Sequence, residues 1–356
     1  MKATERLTQL LGIELPIIQA PMAGADTAEL AAAVTNAGGL GSLGVAMMSD
    51  KTLRETVAKL RALTNKSFNL NYFVHREPDI AGYDAGAMQA GLAPIYGEMG
   101  LGPVPGPSSP APAFNDAALA TLLELAPHIA SFHFGLPDAA AIAALKQAGI
   151  VILASATTTA EAHALEKGGA DAIIAQGHEA GGHRGTFLDH VDLGTVGTMA
   201  LVPQVVDAVS VPVIAAGGIG DARGIAAAFM LGASGVQIGT AYLKSPESAI
   251  HPLHRKALSE VSDHGTVVTK LFSGRPARAI RNRLTETLHA HEGHAAPFPA
   301  QRGLVAPLTG AGAKANRAEY MQLWSGQAAR LATVEPAGEK TVRLMREAAA
   351  LLKASR

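Results

Sequence analysis

Short runs of apolar residues alternate, through residue 240, with longer segments whose apolar positions recur at helical spacing. The short runs are rich in Ile, Val, Leu and Phe, a composition typical of buried strands. Eight of them occur, at residues 16–22, 40–46, 68–74, 129–135, 150–156, 172–176, 212–218 and 235–240. The helical segments span residues 28–37, 50–63, 115–125, 137–147, 159–167, 195–209 and 221–231.

This alternation predicts an α/β fold, a (β/α)8 TIM barrel, because eight strand–helix units in sequence close into one parallel barrel. A doubly wound sheet is the alternative, but it usually has fewer repeats and an early Gly-x-Gly-x-x-Gly motif. No such motif follows residues 16–22. We expect residues 1–240 to form the barrel, and residues 241–356 to form a mostly helical extension packed over its mouth.

One stretch interrupts the alternation. Residues 76–113 are rich in proline and glycine, most densely at residues 102–110. A long irregular segment inside a compact domain is usually a functional loop or a disordered one. We therefore expect an insertion that serves as a lid or a subunit contact, or that is disordered.

The composition fits one large barrel plus an extension, since 48% of the 356 residues are hydrophobic and 17% are charged. Lys and Arg number 29 against 30 Asp and Glu, which gives no electrostatic footprint for nucleic acid or an anionic membrane. The absence of cysteine excludes disulfides, thiolate catalysis and cysteine-based metal sites. No signal peptide and no apolar run of roughly 18 residues is visible, so a cytoplasmic protein is expected.

Residues 176–187, which we call the histidine loop, combine glycines with several ionisable side chains. It follows a buried strand and carries four glycines, two histidines, one glutamate and one arginine. The C-terminal ends of barrel strands share one face, where active sites form. Glycine lets the backbone approach a ligand closely, and the ionisable groups supply reactivity. The loop is predicted to form the active site; a surface loop with solvated histidines is the alternative.

Two later strand ends predict a phosphate site. Residues 217–221 read Gly-Gly-Ile-Gly-Asp, and Gly239-Thr240 ends the eighth strand. The loops after strands seven and eight are the usual phosphate site of a barrel, where backbone N–H groups and a helix N-terminus face the anion. Arg223 is the only cation nearby. The alternative is that Gly217 and Gly218 only make tight turns.

A flat polar ring beside that phosphate would suit flavin mononucleotide (FMN). The amides of Asn69 and Gln176 could meet such a ring, and Gln237 either contacts it or fills the barrel interior. The main chain of Ala20, Pro21, Met22 and Ala23 is a further candidate for contact with the ring.

Five motifs together resemble the nitronate monooxygenase family, over nearly the whole chain. The most specific is His178-Glu-Ala-Gly-Gly-His-Arg-Gly185, which is similar to the bacterial class I enzymes. The others are Gln-Ala-Pro-Met-Ala-Gly at 19–24, Ala-Ala-Gly-Gly-Ile at 215–219, Val-Gln-Ile-Gly-Thr at 236–240 and Trp-Ser-Gly-Gln at 324–327.

The resemblance implies FMN-dependent oxidation of an alkyl nitronate by O2, most of all propionate 3-nitronate. Electrons would pass to FMN through a flavin semiquinone, and the products would be a carbonyl compound and nitrogen oxides. The resemblance also implies an active-site histidine at His183. The implied FMN contacts are Asn69, Gln176, Gly181 with its neighbour Gly182, Gly218, Gln237, Ile238, Gly239 and Thr240.

Three side chains are candidates for handling the substrate. His183 would act as a base on a neutral nitroalkane, or would stabilise the charge of a nitronate, which needs no base. His133 ends the fourth strand and either lines the pocket or is a core histidine. Lys314 is a candidate cation for a substrate carboxylate, with a solvated lysine as the alternative.

A metal site is not expected. The spacing of His178, Glu179 and His183 departs from His-Glu-x-x-His, because residue 182 is glycine. The cluster of His289, His291 and His294 is expected to be a solvated turn, with metal binding as the alternative. Arg275 and Arg278 are expected to anchor the extension to the barrel by hydrogen bonds.

Two other functions remain open. One is an FMN-dependent NAD(P)H reductase, of the enoyl-acyl carrier protein or quinone reductase type. The other is a flavin- or phosphate-binding protein without catalysis, because a fold does not imply a function. The expected partners are a small nitronate and O2, and the sequence leaves a homodimer open.

Overall fold

The structure is a computed structural model that describes residues 3–108, 112–188 and 193–354. The strands in these ranges are β1 (Ile17–Gln19), β2 (Gly41–Gly44), β3 (Phe68–Phe73), β4 (Ile129–His133), β5 (Val151–Ala156), β6 (Ala172–Gln176), β7 (Gly182–His183), β8 (Val213–Ala216), β9 (Gly235–Ile238), β10 (Thr266–Thr269) and β11 (Ala277–Ile280). The predicted barrel strands are all present, each trimmed by up to a few residues.

The helices are α1 (Ala3–Leu11), α2 (Ala28–Asn36), α3 (Asp50–Leu63), α4 (Gly86–Glu98), α5 (Asp116–Leu125), α6 (Ala139–Gln147), α7 (Thr159–Lys167), α8 (Thr198–Ala208), α9 (Ala222–Met230), α10 (Thr240–Leu243), α11 (Pro252–Glu260), α12 (Arg283–Thr287), α13 (Gln301–Lys314) and α14 (Ala337–Ala354). Short 3-10 helices occur at His289–His294, Ala318–Tyr320 and Ala329–Leu331. None of these described helices has the length and apolar character needed to cross a bilayer.

Eight parallel strands form the barrel in the order β1-β9-β8-β6-β5-β4-β3-β2. A parallel bridge between Ile18 and Leu40 links β1 to the start of β2 and closes the ring. The predicted (β/α)8 barrel is confirmed. The order also places β8 across the barrel from β3, and β9 across from β4.

The helices begin where side chains cap them. Ser49 accepts a hydrogen bond from the Thr52 N–H at 3.2 Å and caps the start of α3. At the opposite end of the barrel from the strand C-termini, α1 buries Leu7 and Leu11 against the inward side chains of the strands. This apolar floor leaves the C-terminal mouth as the open end.

The segment at residues 76–113 is more regular than expected. It contains the 13-residue helix α4, whose Met88, Leu92 and Ile95 are buried against Leu304 and other residues of the extension. Tertiary packing of this apolar face overrides the glycines and the proline in the segment. Residues 109–111 lie outside the described part.

The region after residue 240 is mostly helical, as expected, but it also contributes two strands. In this region, β10 pairs with β11, and β11 pairs with β7 of the histidine loop. The last helix, α14, packs against α2 and α9 on the side of the barrel rather than over its mouth. The division into residues 1–240 and 241–356 stays a prediction.

Candidate active site

A cavity of about 510 Å³ opens at the C-terminal mouth of the barrel. That volume lies in the range of small-molecule and cofactor sites. Its wall contains most of the predicted site residues, namely Ala20, Pro21, Met22, Ala23, His133, Gln176, Gly181, Gly182, His183, Gly217, Gly218, Gln237, Ile238, Gly239 and Thr240.

The loop after β1 is held against β2 by one buried carboxyl group. Asp26 Oδ2 accepts hydrogen bonds from the N–H groups of Met22 and Gly44, both at 2.7 Å. Burial raises the pKa of Asp26 to about 7. Gly44 has no space for a side chain, because a Cβ there would lie 2.7 Å from the Ala23 nitrogen. This packing fixes the cavity wall at Met22 and Ala23.

The histidine loop is built into a small antiparallel sheet. His183 pairs with Ala277 and Gly182 pairs with Arg278, so the loop forms one edge of the β10-β11-β7 sheet. Gly181 then packs against the backbone of residues 325–326, where a Cβ would lie 2.5 Å from the Gly326 nitrogen. The loop is therefore fixed from two sides by the C-terminal region.

Arg184 ties the start of the histidine loop to Gly194, which lies beyond the end of the loop. Its side chain is almost fully buried, and its guanidinium donates to the carbonyl oxygens of Gly177 at 2.7 Å, Gln176 at 2.9 Å and Gly194 at 3.0 Å. All these acceptors are neutral backbone groups. Burial lowers the pKa of Arg184 to about 10, so the side chain stays cationic at neutral pH.

Two arginines of the extension also bind this loop. Arg278 donates to the His178 carbonyl through Nε at 3.1 Å and Nη2 at 3.0 Å. Arg275 donates to the Thr186 carbonyl and stacks on the Phe134 ring, with its guanidinium carbon 4.0 Å from the ring centroid. The expectation that both arginines anchor the extension to the barrel is confirmed.

The backbone of His183 is positioned by two barrel side chains. Gln176 Nε2 donates to the His183 carbonyl at 2.9 Å, and Gln176 Oε1 accepts from the Gly185 N–H at 2.8 Å. His133 Nε2 lies 3.2 Å from the same carbonyl, so it carries the proton and donates. Burial lowers the pKa of His133 to about 3, which keeps the ring neutral.

The imidazole of His183 lies in an aromatic cage. Its ring centroid is 5.4 Å from those of Phe298 and Trp324, and 6.0 Å from that of Phe73. Nε2 lies 2.8 Å from the Ser273 hydroxyl, which leaves Nδ1 as the ring atom able to serve a ligand. Burial, followed by nearby His133 and the arginines, lowers the pKa of His183 well below its ordinary value. The ring is therefore a neutral imidazole at neutral pH.

The glycine loops lie on the other side of the mouth. Gly217 and Gly218 both have positive φ, 102° and 72°, which disfavours any other residue there. Glu179 of the neighbouring histidine loop accepts a hydrogen bond from the Thr198 N–H at 2.9 Å, which fixes that loop to the start of α8. Since β8 and β9 lie across the barrel from β3 and β4, these glycines face the cavity from the side opposite the aromatic cage.

Two amides in the cavity wall, those of Gln237 and Gln322, each have a buried atom without a hydrogen-bond partner in the described residues. Gln237 Oε1 is buried and makes no hydrogen bond within the described residues. A buried polar atom left unpaired costs free energy, so such an atom often marks a ligand contact. Next to it, Thr240 begins α10, and its hydroxyl accepts from the Gly326 N–H at 2.9 Å.

Three sequence candidates lie away from the cavity. Asn69 is fully buried and donates to the hydroxyls of Ser42 and Ser131, at 3.1 and 2.9 Å. Lys314 is exposed at the end of α13. Arg223 pairs with Asp221 at 2.5 Å, not with the glycine loops. Their predicted roles in binding FMN, substrate or phosphate have no support from these positions.

Several lining residues were missed at the sequence level. Asn71 lines the cavity two positions after Asn69, on the same face of β3. The extension supplies Phe298, Arg302 and Trp324. The alternation of β3 predicts that residues 69 and 71 both point inward, but it carries no information about depth.

No group of three or more His, Asp or Glu side chains in the described ranges could hold a metal ion. His289, His291 and His294 lie on a 3-10 helix outside the cavity. Glu292 within that helix accepts from the Lys270 N–H at 2.6 Å.

The buried histidines should make folding sensitive to mild acid. Burial lowers the pKa of His254 to about 4, and its Nε2 donates to the Trp324 carbonyl at 2.9 Å. Below about pH 6.5, His254 and His133 bind protons in the unfolded chain but not in the folded one. Their contribution to the free energy of unfolding is therefore fully present above that pH and is lost as the pH falls. Between pH 6.5 and 4, the free energy of unfolding should fall less steeply with falling pH in the His254→Gln variant than in the wild type. The difference in slope should be up to about 1.4 kcal/mol per pH unit. Urea unfolding across that range checks it; an unchanged slope would contradict the assignment.

Comparison with known sequences gives one consistent result. The family model described as "Nitronate monooxygenase" matches residues 4–347. A similar curated relative is the "Probable nitronate monooxygenase" of Staphylococcus aureus strain MRSA252. It is 43% identical over 338 residues, which cover 93% of this chain and 94% of the relative.

Several solved structures are also similar to this chain over nearly its whole length. A nitroalkane oxidase from Streptomyces ansochromogenes has a TM-score of 0.90 and 39% identity, covering 99% of this chain and 100% of the other. FabK from Thermotoga maritima has a TM-score of 0.76 and 30% identity, covering 99% and 98% of the two chains. The enoyl reductase domain of MlnA from Bacillus amyloliquefaciens, at 12% identity and a TM-score of 0.60, covers 98% of both chains and shares the fold.

Proposed function

Since this chain belongs to the nitronate monooxygenase family and is an oxidoreductase of that type, we propose that it uses FMN to oxidise alkyl nitronates with O2. The substrate we propose is propionate 3-nitronate, with a carbonyl compound and nitrogen oxides as products.

The observation that carries the cofactor assignment is the unpaired Gln237 Oε1 in the cavity wall. A flavin ring offers N–H and C=O groups along one edge, and Gln237 would satisfy one of them. Gly217 and Gly218, in backbone conformations that favour glycine, and the first N–H groups of α10 at Thr240 would hold the phosphate. These residues fit FMN without a cationic side chain at the phosphate.

When bound, FMN would take electrons from the nitronate and pass them to O2. The chain's own residues would orient the substrate and shield it from water. Phe73, Phe298 and Trp324 form an apolar wall around His183, and this wall would exclude solvent from the carbon of a bound substrate.

The role of His183 follows from its neutral state. A neutral ring cannot offer a full positive charge, so His183 would meet a nitronate as a hydrogen-bond donor and not as a counter-ion. Toward a nitronate, Nδ1 would carry the ring proton and donate to a nitronate oxygen, while Nε2 accepts from the Ser273 hydroxyl. With a neutral nitroalkane, the Nδ1 lone pair of the other tautomer would accept the proton from carbon.

A reductase that takes electrons from NAD(P)H is the alternative. The likeness to an enoyl reductase domain is at 12% identity and shows the fold alone. We therefore favour the nitronate substrate, because the family model spans residues 4–347.

The purified protein is expected to carry about one FMN per chain and to consume oxygen with propionate 3-nitronate. Replacing Gln237 by leucine should raise the Kd for FMN about tenfold, since one neutral hydrogen bond is lost. Flavin fluorescence during titration of the apoprotein measures this Kd. The matched control is Gln204→Leu, because Gln204 is an exposed amide on α8. Equal Kd values for both variants would remove Gln237 from the flavin site, and a wild-type chain that cannot bind FMN would overturn the cofactor assignment.

A further inference from the structure

One arginine in the cavity wall differs from the other three buried near it. Arg302 lies in the first turn of α13 and lines the cavity. Its Nε is buried and has no hydrogen-bond partner in the described part of the chain. By contrast, the guanidinium groups of Arg184, Arg275 and Arg278 donate to backbone carbonyls of the histidine loop and its flanks.

The charges around these arginines differ in the same way. Burial lowers the pKa of Arg184, Arg275 and Arg278, and a nearby carboxylate partly offsets the effect in each case. That carboxylate is Glu161 for Arg184 and Arg275, and Glu179 for Arg278. For Arg302, burial alone lowers the pKa, and no carboxylate within residues 3–108, 112–188 and 193–354 opposes it. A partly buried cation without a counter-ion is costly, and an anion that enters the cavity would relieve that cost.

The position of Arg302 separates it from the phosphate loops. Its backbone N–H donates to the Pro299 carbonyl at 3.1 Å, which places it one turn after Phe298. The Phe298 ring lies 5.3 Å from that of Phe134 and 6.5 Å from that of Phe73, at the ends of β4 and β3. The glycine loops follow β8 and β9, on the opposite side of the barrel. An anion at Arg302 is therefore not the flavin phosphate.

The two histidines near Arg302, His75 and His183, carry no positive charge that could bind an anion. The His75 ring packs edge-on against Phe298 with centroids 5.1 Å apart, and burial lowers its pKa, so it adds no charge. His183 is neutral, since burial, with a smaller contribution from the charge of Arg302, lowers its pKa, and both side chains line the cavity. A substrate bound at His183 would thus meet one unpaired cation within the same end of the cavity.

We propose that Arg302 binds a carboxylate at the far end of the substrate and so selects nitronates that carry a second negative charge. This inference rests on the proposed function, because it assumes that the nitronate end of the substrate lies at His183. It replaces Lys314, which is exposed at the other end of α13 and does not line the cavity.

The test compares two substrates of equal chain length. Propionate 3-nitronate carries the carboxylate, and propane-1-nitronate does not. Replacing Arg302 by glutamine should lower kcat/KM for propionate 3-nitronate by roughly 30-fold or more, mainly through KM. The value for propane-1-nitronate should change by less than about threefold. Arg302→Lys should restore part of the loss, because the charge returns without the forked geometry. Arg346→Gln, at an exposed arginine on α14, is the matched control.

Two results would overturn the proposal. One is an equal loss for both nitronates in Arg302→Gln, which would indicate a general effect on the fold or the flavin. The other is a selective loss in Lys314→Gln with none in Arg302→Gln. Calorimetric binding of 3-nitropropionate against 1-nitropropane adds a readout without turnover. If the wild-type chain oxidises neither nitronate, the proposed function fails, and the preference for 3-nitropropionate still decides whether Arg302 binds a carboxylate.

Discussion

Replacing His183 by asparagine should lower kcat/KM for a neutral nitroalkane by about 10²–10⁴-fold, the range for losing a general base. The loss for the corresponding nitronate should be only about tenfold, because that substrate has already lost its carbon proton. Asparagine keeps a polar group in the aromatic cage but has no basic lone pair. Steady-state oxygen uptake with nitroethane and with ethyl nitronate measures both values.

The pH dependence provides a second readout for His183. Because its pKa is held well below the ordinary value, the ring stays unprotonated as the pH falls from 8 through 6.5. The kcat/KM for nitroethane should therefore be flat over that range. Equal losses for the two substrates in His183→Asn would instead make the residue a binding group, and no loss for either would remove it from the reaction.

Replacing Arg184 by methionine should lower the free energy of unfolding by about 3 kcal/mol or more. The change removes the charged donor from three buried carbonyl groups, those of Gln176, Gly177 and Gly194. Methionine offers these carbonyls no hydrogen-bond donor in place of the guanidinium. Urea unfolding of the wild-type and variant proteins measures the difference, and flavin retention should fall with it.

Two matched variants make the Arg184 result interpretable. Arg184→Lys keeps the charge but offers a single ammonium instead of a fork, so it should recover part of the stability. Arg346→Met, at an exposed position on α14, should change stability by less than about 0.5 kcal/mol. A fully stable Arg184→Met variant would mean that the histidine loop is fixed by the β7–β11 pairing alone.

The barrel was predictable because its signal is local. Each strand is a short apolar run, and each helix start, such as Ser49, carries its own capping group. The strand-end glycines at 217 and 218 and the histidine loop were found for the same reason, since their unusual residues follow the strands directly. Their places around the cavity then follow from the strand order.

The contributions of distant segments were not predictable. Asn69 and Asn71 share one face of β3, and only the structure shows which one reaches the cavity. Arg302 and Lys314 lie on the same helix, and its packing against α4 and the rest of the extension decides which one faces the site. The pairing of β11 with β7 joins residues roughly ninety positions apart, and no local pattern encodes such a contact.

The most direct test of the central claim is to mix the flavin-loaded protein with propionate 3-nitronate in the absence of oxygen and follow the oxidised flavin band. We expect the band to bleach, and oxygen to be consumed when air is readmitted. A band that propionate 3-nitronate leaves unchanged, but that NADH bleaches, would contradict the proposed nitronate oxidation and favour a reductase.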